Sequence, residues 1–222
     1  MSKKELQEKA EFEKAVGLKA GFISTILSIL KLVLGIALLP FVIGLTRSFY
    51  HELMEEAVSV RRVFYWGIAT YLVLHLFAFK LQGFFDAGQR IIGKLFGFFV
   101  PLRRVMYVCL PVYSTLFFVI YFIWKTFFNY RYSVGYFLFG IAFMATMHLV
   151  LTANSLREGP SDSLRGGYIC SLFLLYIVNI IVLCAFLHFM LEGFSFLEFI
   201  KQGFDFFIKA ITFSWKQLFA LR

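Results

Sequence analysis

Five apolar runs, separated by short polar breaks, divide the sequence: Gly21 to Leu45, Val63 to Phe79, Val105 to Trp124, Val134 to Ala153 and Tyr168 to Leu191. A bilayer core of ~30 Å is crossed by ~20 apolar residues in a helix, so each run predicts one span. Only helices and closed barrels satisfy their backbone groups in lipid, and long unbroken apolar runs do not alternate as barrel strands do. The predicted class is therefore all-α, a polytopic transmembrane helical bundle of five spans.

The flanks are different in kind. In residues 1–20, Ser2-Lys3-Lys4-Glu5 has capping-box spacing and Glu5/Lys9 and Lys9/Glu13 sit four apart, which predicts a charged, solvated helix. The apolar run after it is too long for a cleaved leader, so it is read as the first of the spans making up a bundle over 21–191. Lys31 falls in the middle of that run, and Pro40 predicts a bend near its end. In the C-terminal unit 192–222, polar residues recur at Glu198, Gln202, Asp205, Lys209, Thr212 and Lys216 in steps of three and four. That single stripe predicts an amphipathic helix over 196–219 lying in the membrane interface, or else a sixth span with its stripe turned toward the bundle.

Between the second and third runs lies the densest polar cluster: Asp86, Gln89, Arg90 and Lys94, interleaved with Gly83, Gly88, Gly93 and Gly97. An ionisable group at membrane depth costs roughly 2.5–3.5 kcal/mol on insertion scales, so such groups are paired, solvated or functional. The pattern predicts a helix over 82–100 that is broken or re-entrant near Gly83 or Gly88, packed inside protein, with Asp86 paired to Arg90 at i,i+4.

Composition agrees with a lipid environment: 60% of residues are hydrophobic, 31 are Phe, and the mean hydropathy is +0.80. The net charge of +9 does not point to nucleic acid, because the Lys and Arg residues are scattered and form no basic block. In the five-span arrangement 12 Lys/Arg fall on the side of the N-terminus and 9 on the other, which favours a cytoplasmic N-terminus. The implied surroundings are the lipid bilayer and other membrane proteins or a second copy. Cys109, Cys170 and Cys184 lie in apolar runs without a Cys-x-x-Cys pair and read as buried thiols.

Candidate chemistry rests on few residues. His75 and His148 lie about one turn before the ends of spans 2 and 4, which run in the same direction, so they share a depth. With Asp162 from the following loop they would supply three zinc ligands, and Asp86 or Asp162 would be the candidate general base. Two histidines alone would suit a b-type haem. The alternative is that both imidazoles only hydrogen-bond within the bundle, as Asn179 and Thr146 would between helices. His51-Glu52-Leu53-Met54-Glu55 lacks the second histidine of the zinc-protease motif, and the connector Arg47 to Arg62 reads as an amphipathic surface turn.

Several short stretches carry a resemblance: Leu74-His75-Leu76-Phe77-Ala78-Phe79-Lys80, Leu95-Phe96-Gly97, His148-Leu149-Val150-Leu151-Thr152, Pro160-Ser161-Asp162 and Gly167-Tyr168 before Asn179. Over residues 60–190 their order resembles the site-2-protease type of membrane-embedded zinc metalloproteases, a bacterial cytoplasmic-membrane group. In that register the family's His-Glu-x-x-His falls on Phe85-Asp86-Ala87-Gly88-Gln89, so both histidine ligands are missing. The resemblance implies a pseudoenzyme that holds neither zinc nor haem and acts as a scaffold or assembly subunit. A divergent protease using His75, His148 and Asp162, and a haem-binding electron-transfer subunit, are the alternatives.

Overall fold

The computed structural model describes residues 3–77, 82–95, 97, 109–128, 134–158 and 165–219. Its described elements are seven helices: α1 Lys3–Glu55, α2 Val58–Phe77, α3 Gln82–Leu95, α4 Val112–Phe128, α5 Val134–Glu158, α6 Arg165–Met190 and α7 Phe196–Phe219. Three are long and apolar enough to cross a membrane: α1 over Thr25–Glu55, α5 over Val134–Arg157 and α6 over Gly167–Met190. Counting α2 with α3 as one broken span gives four. Helix α4 is apolar but short, and the expected start of its run, 105–108, lies outside the described residues.

The first correction to the sequence reading concerns α1. The charged segment, the first apolar run and the start of the Arg47 to Arg62 connector are one 53-residue helix, with Pro40 inside it. At ~1.5 Å per residue that is a rod of about 80 Å. The helix continues past Arg47 because Leu45, Ser48, Glu52 and Leu53 recur at helical spacing and all four are buried. Only Glu56 and Ala57 separate it from α2.

Two tightly apposed pairs, α1 with α6 and α2 with α5, form the frame. Gly35 marks the first pair: a Cβ there would stand 3.3 Å from Cys170 N, while the last turn of α1 reaches the connection after α6, where Glu56 approaches Gly193. The two helices therefore run parallel. Gly67 marks the second pair, where a Cβ would lie 2.6 Å from Phe139 O and 2.9 Å from the Ala142 Cβ. No larger residue fits without moving main chain. Helix α4 runs antiparallel to α5, with Ser114 bonded to Ile141 O and Tyr121 against Phe137. Leu45, Phe64, Leu138, Ile141, Leu187 and Phe199 join these elements in one core.

The α1/α6 register moves the first span. Because Gly35 lies level with Cys170, residues before about position 31 extend past the start of α6. Lys31, expected in mid-span, thus stands near the N-terminal end of α6. Phe22, Ile23, Ile26, Leu27, Ile29 and Leu30 project beyond it, all exposed.

Helix α7 has the expected bounds and an unexpected attachment. Ser48 faces Phe199, Gly44 and Leu45 face Gly203, and Phe41 faces Phe204 and Phe207. As numbers fall along α1 they rise along α7, so the two helices lie antiparallel side by side. Helix α3, within the segment expected to be broken or re-entrant near Gly83 or Gly88, is regular from Gln82 to Leu95, and its sharp turn from α2 makes that pair a broken span or a re-entrant loop. Its axis is turned by 118° from that of α2, closer to perpendicular than to antiparallel. Phe85, Gly88 and Ile92 face inward, and Arg90 and Lys94 are exposed.

Candidate functional site

Helix α3 brings part of the expected cluster together. Tyr71 of α2 is fully buried, stacks on His75 at 5.6 Å between ring centroids, and has its hydroxyl 3.4 Å from His75 Nδ1. His148 of α5 is 4% exposed and lies 6.0 Å, ring to ring, from Phe85 of α3. Tyr71, Phe85, Met147 and Leu151 make a small core of their own. The sharing of a depth by His75 and His148 follows from the parallel run of α2 and α5, and both imidazoles sit against aromatic rings.

The remaining candidates are placed differently from expectation. Asp86 accepts a hydrogen bond from Gln82 Nε2 at 3.2 Å, and no Asp86–Arg90 ion pair occurs among the described residues. The Asp86 carboxylate is engaged by Gln82 one turn before it instead, and Arg90 and Lys94 are exposed. Gln89 lines a pocket of about 10 Å³ with Gly88, Tyr113, Met147 and His148. That is the size of a single water site. Asp162 lies outside the described residues, and among those described no group of three His, Cys, Asp or Glu side chains could hold a metal.

The positions on which the resemblance would place His-Glu-x-x-His carry no imidazole. Phe85 is packed against His148, and Gly88 lies under the Tyr113 ring, where a Cβ would meet Cε2 at 2.8 Å. A phenyl ring and an amide cannot replace two imidazoles as zinc ligands. Asn179 and Thr146, expected to bond between helices, each bond within their own: Asn179 Nδ2 to Leu175 O at 2.9 Å, and Thr146 Oγ1 to Ala142 O at 2.7 Å.

A second polar site, which sequence reasoning missed, holds α7 to α1. Ser195 is the N-cap of α7, its Oγ accepting from Glu198 N at 3.3 Å. In a capping box the acid three residues on would accept the N-cap's own N–H. Here Glu52 of α1 does so instead, with Ser195 N donating to its Oε2 at 3.0 Å, while Glu198 turns outward to Lys201. Gln202 Nε2 donates to the other Glu52 oxygen at 3.3 Å, and Ser48 Oγ donates to Phe199 O at 2.7 Å. Glu52 is 2% exposed. A carboxylate at the positive end of the α7 dipole is favourably placed. The signal present in the sequence was Ser195-x-x-Glu198; its partner on α1 was not deducible from spacing.

Next to this clasp, Glu56 approaches the Gly193 backbone, and His188 Nδ1 lies 2.9 Å from Phe194 O, fixing the turn into α7. Burial pushes the Glu56 carboxyl above its ordinary value; the Gly193 hydrogen bond opposes this and the Glu192 charge adds to it. The chain matches no protein-family model, no curated protein and no solved structure.

Proposed function

We propose that this chain is a non-catalytic, multi-pass membrane protein that serves as a scaffold or subunit of a membrane assembly, and that α7 is the surface by which it joins. One observation carries the reading. Helix α7 runs beside an apolar, span-length part of α1, yet Glu198, Asp205, Lys209, Thr212 and Lys216 along it are exposed. If α1 crosses the bilayer at this level, α7 crosses with it, with its stripe turned away from the bundle and not toward it as the six-span alternative expected. Lipid does not tolerate such a stripe bare, since ionisable groups within spans face protein or water. A partner's polar face, from another protein or a second copy, supplies the cover.

The apolar residues of α1 beyond α6 support the same reading, because ~15 Å of helix at about 1.5 Å per residue stands clear of the bundle. The resemblance to the site-2-protease type, with Phe85 and Gln89 where its two histidines would fall, supports the same non-catalytic reading. The test is cysteine substitution at Asp205, Lys209 and Thr212 in native membranes, with a membrane-impermeant thiol reagent before and after detergent extraction. Protection in membranes that is lost on extraction, with a discrete protein adduct from a photo-crosslinker at Lys209, is expected. Free labelling of all three sites in intact membranes would instead make α7 an interfacial helix facing water and end the assembly reading.

A further inference from the structure

Between α1, α2, α5 and α6 lies a half-open cavity of about 230 Å³, bordered by Phe49, Phe64, Ala145, Thr146, Tyr176 and Asn179. It is the space left where the α1/α6 and α2/α5 pairs meet. Its walls are almost wholly aliphatic and aromatic, with three polar side chains among them. Two of the three are already engaged: the Thr146 hydroxyl donates to Ala142 O, and the Tyr176 hydroxyl is 2.7 Å from Thr46 Oγ1.

Asn179 is the third, and it is incompletely satisfied. It is 7% exposed and stands midway along the Gly167–Met190 span. Its Nδ2 donates to Leu175 O, which fixes the amide's orientation, because the reversed amide would set oxygen against oxygen. Its Oδ1 is buried and has no hydrogen-bond partner. A buried acceptor left without a partner is costly, so a donor in this cavity is favoured.

Water alone fits poorly. A volume of this size has room for several waters at ~30 Å³ each, and every one needs two to four polar partners. Apart from the Asn179 amide, the lining offers only the spare lone pairs of the Thr146 and Tyr176 hydroxyls, too few for several waters. An apolar cavity of ~150 Å³ takes up benzene, so a space half as large again suits a bicyclic ring. A helix, ~10 Å across with its side chains, does not fit. A phospholipid places its donors at the interface, and only its tail would reach the depth of Asn179.

We propose that this cavity is a binding site for an uncharged, apolar small molecule of about bicyclic aromatic size that carries one hydrogen-bond donor, received by Asn179 Oδ1. Phe49, Phe64 and Tyr176 supply the aromatic walls, and Ala145 provides the room. The site is independent of the α7 surface and does not depend on the assembly reading.

The probes are indole and 1-methylindole, which share a ring system and differ in the N–H. Equilibrium dialysis of the full chain in detergent, against empty micelles, should give saturable one-to-one binding of indole and at least tenfold weaker binding of 1-methylindole. Asn179→Leu should abolish that preference while both rings still bind, and Ala145→Phe should abolish saturable binding of both. Three results would overturn the proposal: uptake no greater than that of empty micelles, equal affinity of the two probes in the unmutated chain, or a preference that survives Asn179→Leu. Equal affinity would mean an acyl-chain pocket without polar recognition, and micelle-like uptake would mean a site for water only. The probe comparison on the unmutated chain decides even if a variant fails to fold.

Discussion

Helices α3 and α7 look alike in sequence and are held in different ways. Both are amphipathic and both follow an apolar helix; α3 carries three glycines and α7 one, Gly203. In α7, Gly203 meets main chain: a Cβ at the facing Gly44 would lie 2.8 Å from Gly203 O, and one at Gly203 would lie 2.7 Å from Leu45 Cδ2. In α3, Gly88 meets only the ring of Tyr113, and Gly83 has nothing within 4 Å. Two backbones in contact hold a helix closely along its length, whereas α3 is held through side chains: Phe84 on Tyr113, Phe85 on His148 and the buried Ile92. The cap supplied by Glu52 adds to this contrast, because the described part of α3 has no equivalent bond at its start.

The contrast breaks most sharply at Gly44. Gly44→Val places branched carbons against a carbonyl that cannot move unless α7 does. The cost should lie at or above the ~3 kcal/mol upper range of overpacking, with α7 detached. Thermal unfolding in detergent should fall by many degrees, and proteolysis should begin in the 191–219 region. An unchanged melting point would show that the two helices do not touch there. Next in size is Glu52→Ala, which leaves the Ser195 N–H and the Gln202 amide without their acceptor, at about 1–3 kcal/mol. Glu52→Gln keeps an acceptor for Ser195 and should recover most of the loss. Equal damage from the two would show that charge, not hydrogen bonding, is what matters at this position.

How far these differences could be read from sequence depends on the range of the interaction. The bounds of α7 were legible at both ends, since its stripe and its Ser195 cap are local. Helices α5 and α6 were legible as apolar runs to within a few residues. The continuation of α1 to Glu55 was not, because Arg47, His51 and Glu52 together look like a solvated connector, and of the three only Glu52 is covered. What covers Glu52 is a backbone N–H 143 positions further along the chain. No periodicity carries that information. Gly88, offered as a breaking point, is a close approach to Tyr113 instead, for a related reason: a glycine signals either, and only the neighbour decides. Likewise the equal depth of His75 and His148 was legible from span direction, while the aromatic partners of both rings came from packing.

Helix α3 offers the smaller perturbation. Tyr113 OH donates to Phe84 O at 2.6 Å, and the two rings stack at 4.0 Å. Tyr113→Phe removes the hydrogen bond and keeps the stack, so it should cost about 0.5–1.5 kcal/mol. Hydrogen exchange should quicken in residues 82–95 and leave 196–219 unchanged. A change in α7 would mean that the two amphipathic helices are coupled through the bundle, against the separate attachments described above.

The smallest expected effect is a dependence on pH at the turn that starts α7. Burial raises the Glu56 carboxyl above its ordinary value, with the Glu192 charge acting in the same sense and the Gly193 hydrogen bond opposing both. An acid whose value is higher in the folded than in the unfolded chain binds its proton more tightly when folded. Its favourable contribution is therefore complete below the unfolded value, near 4.3 for a free glutamate, and is lost as pH rises through the folded value. Glu56→Gln mimics the protonated form. It should leave the melting temperature unchanged at about pH 4, near that reference value, and raise it modestly at neutral pH, by less than ~1 kcal/mol for a partly exposed group. Melting curves of both proteins across this range are the measurement. A variant less stable at neutral pH would show that the Gly193 hydrogen bond outweighs burial, and that the charged form of Glu56 helps to hold the turn from which α7 departs.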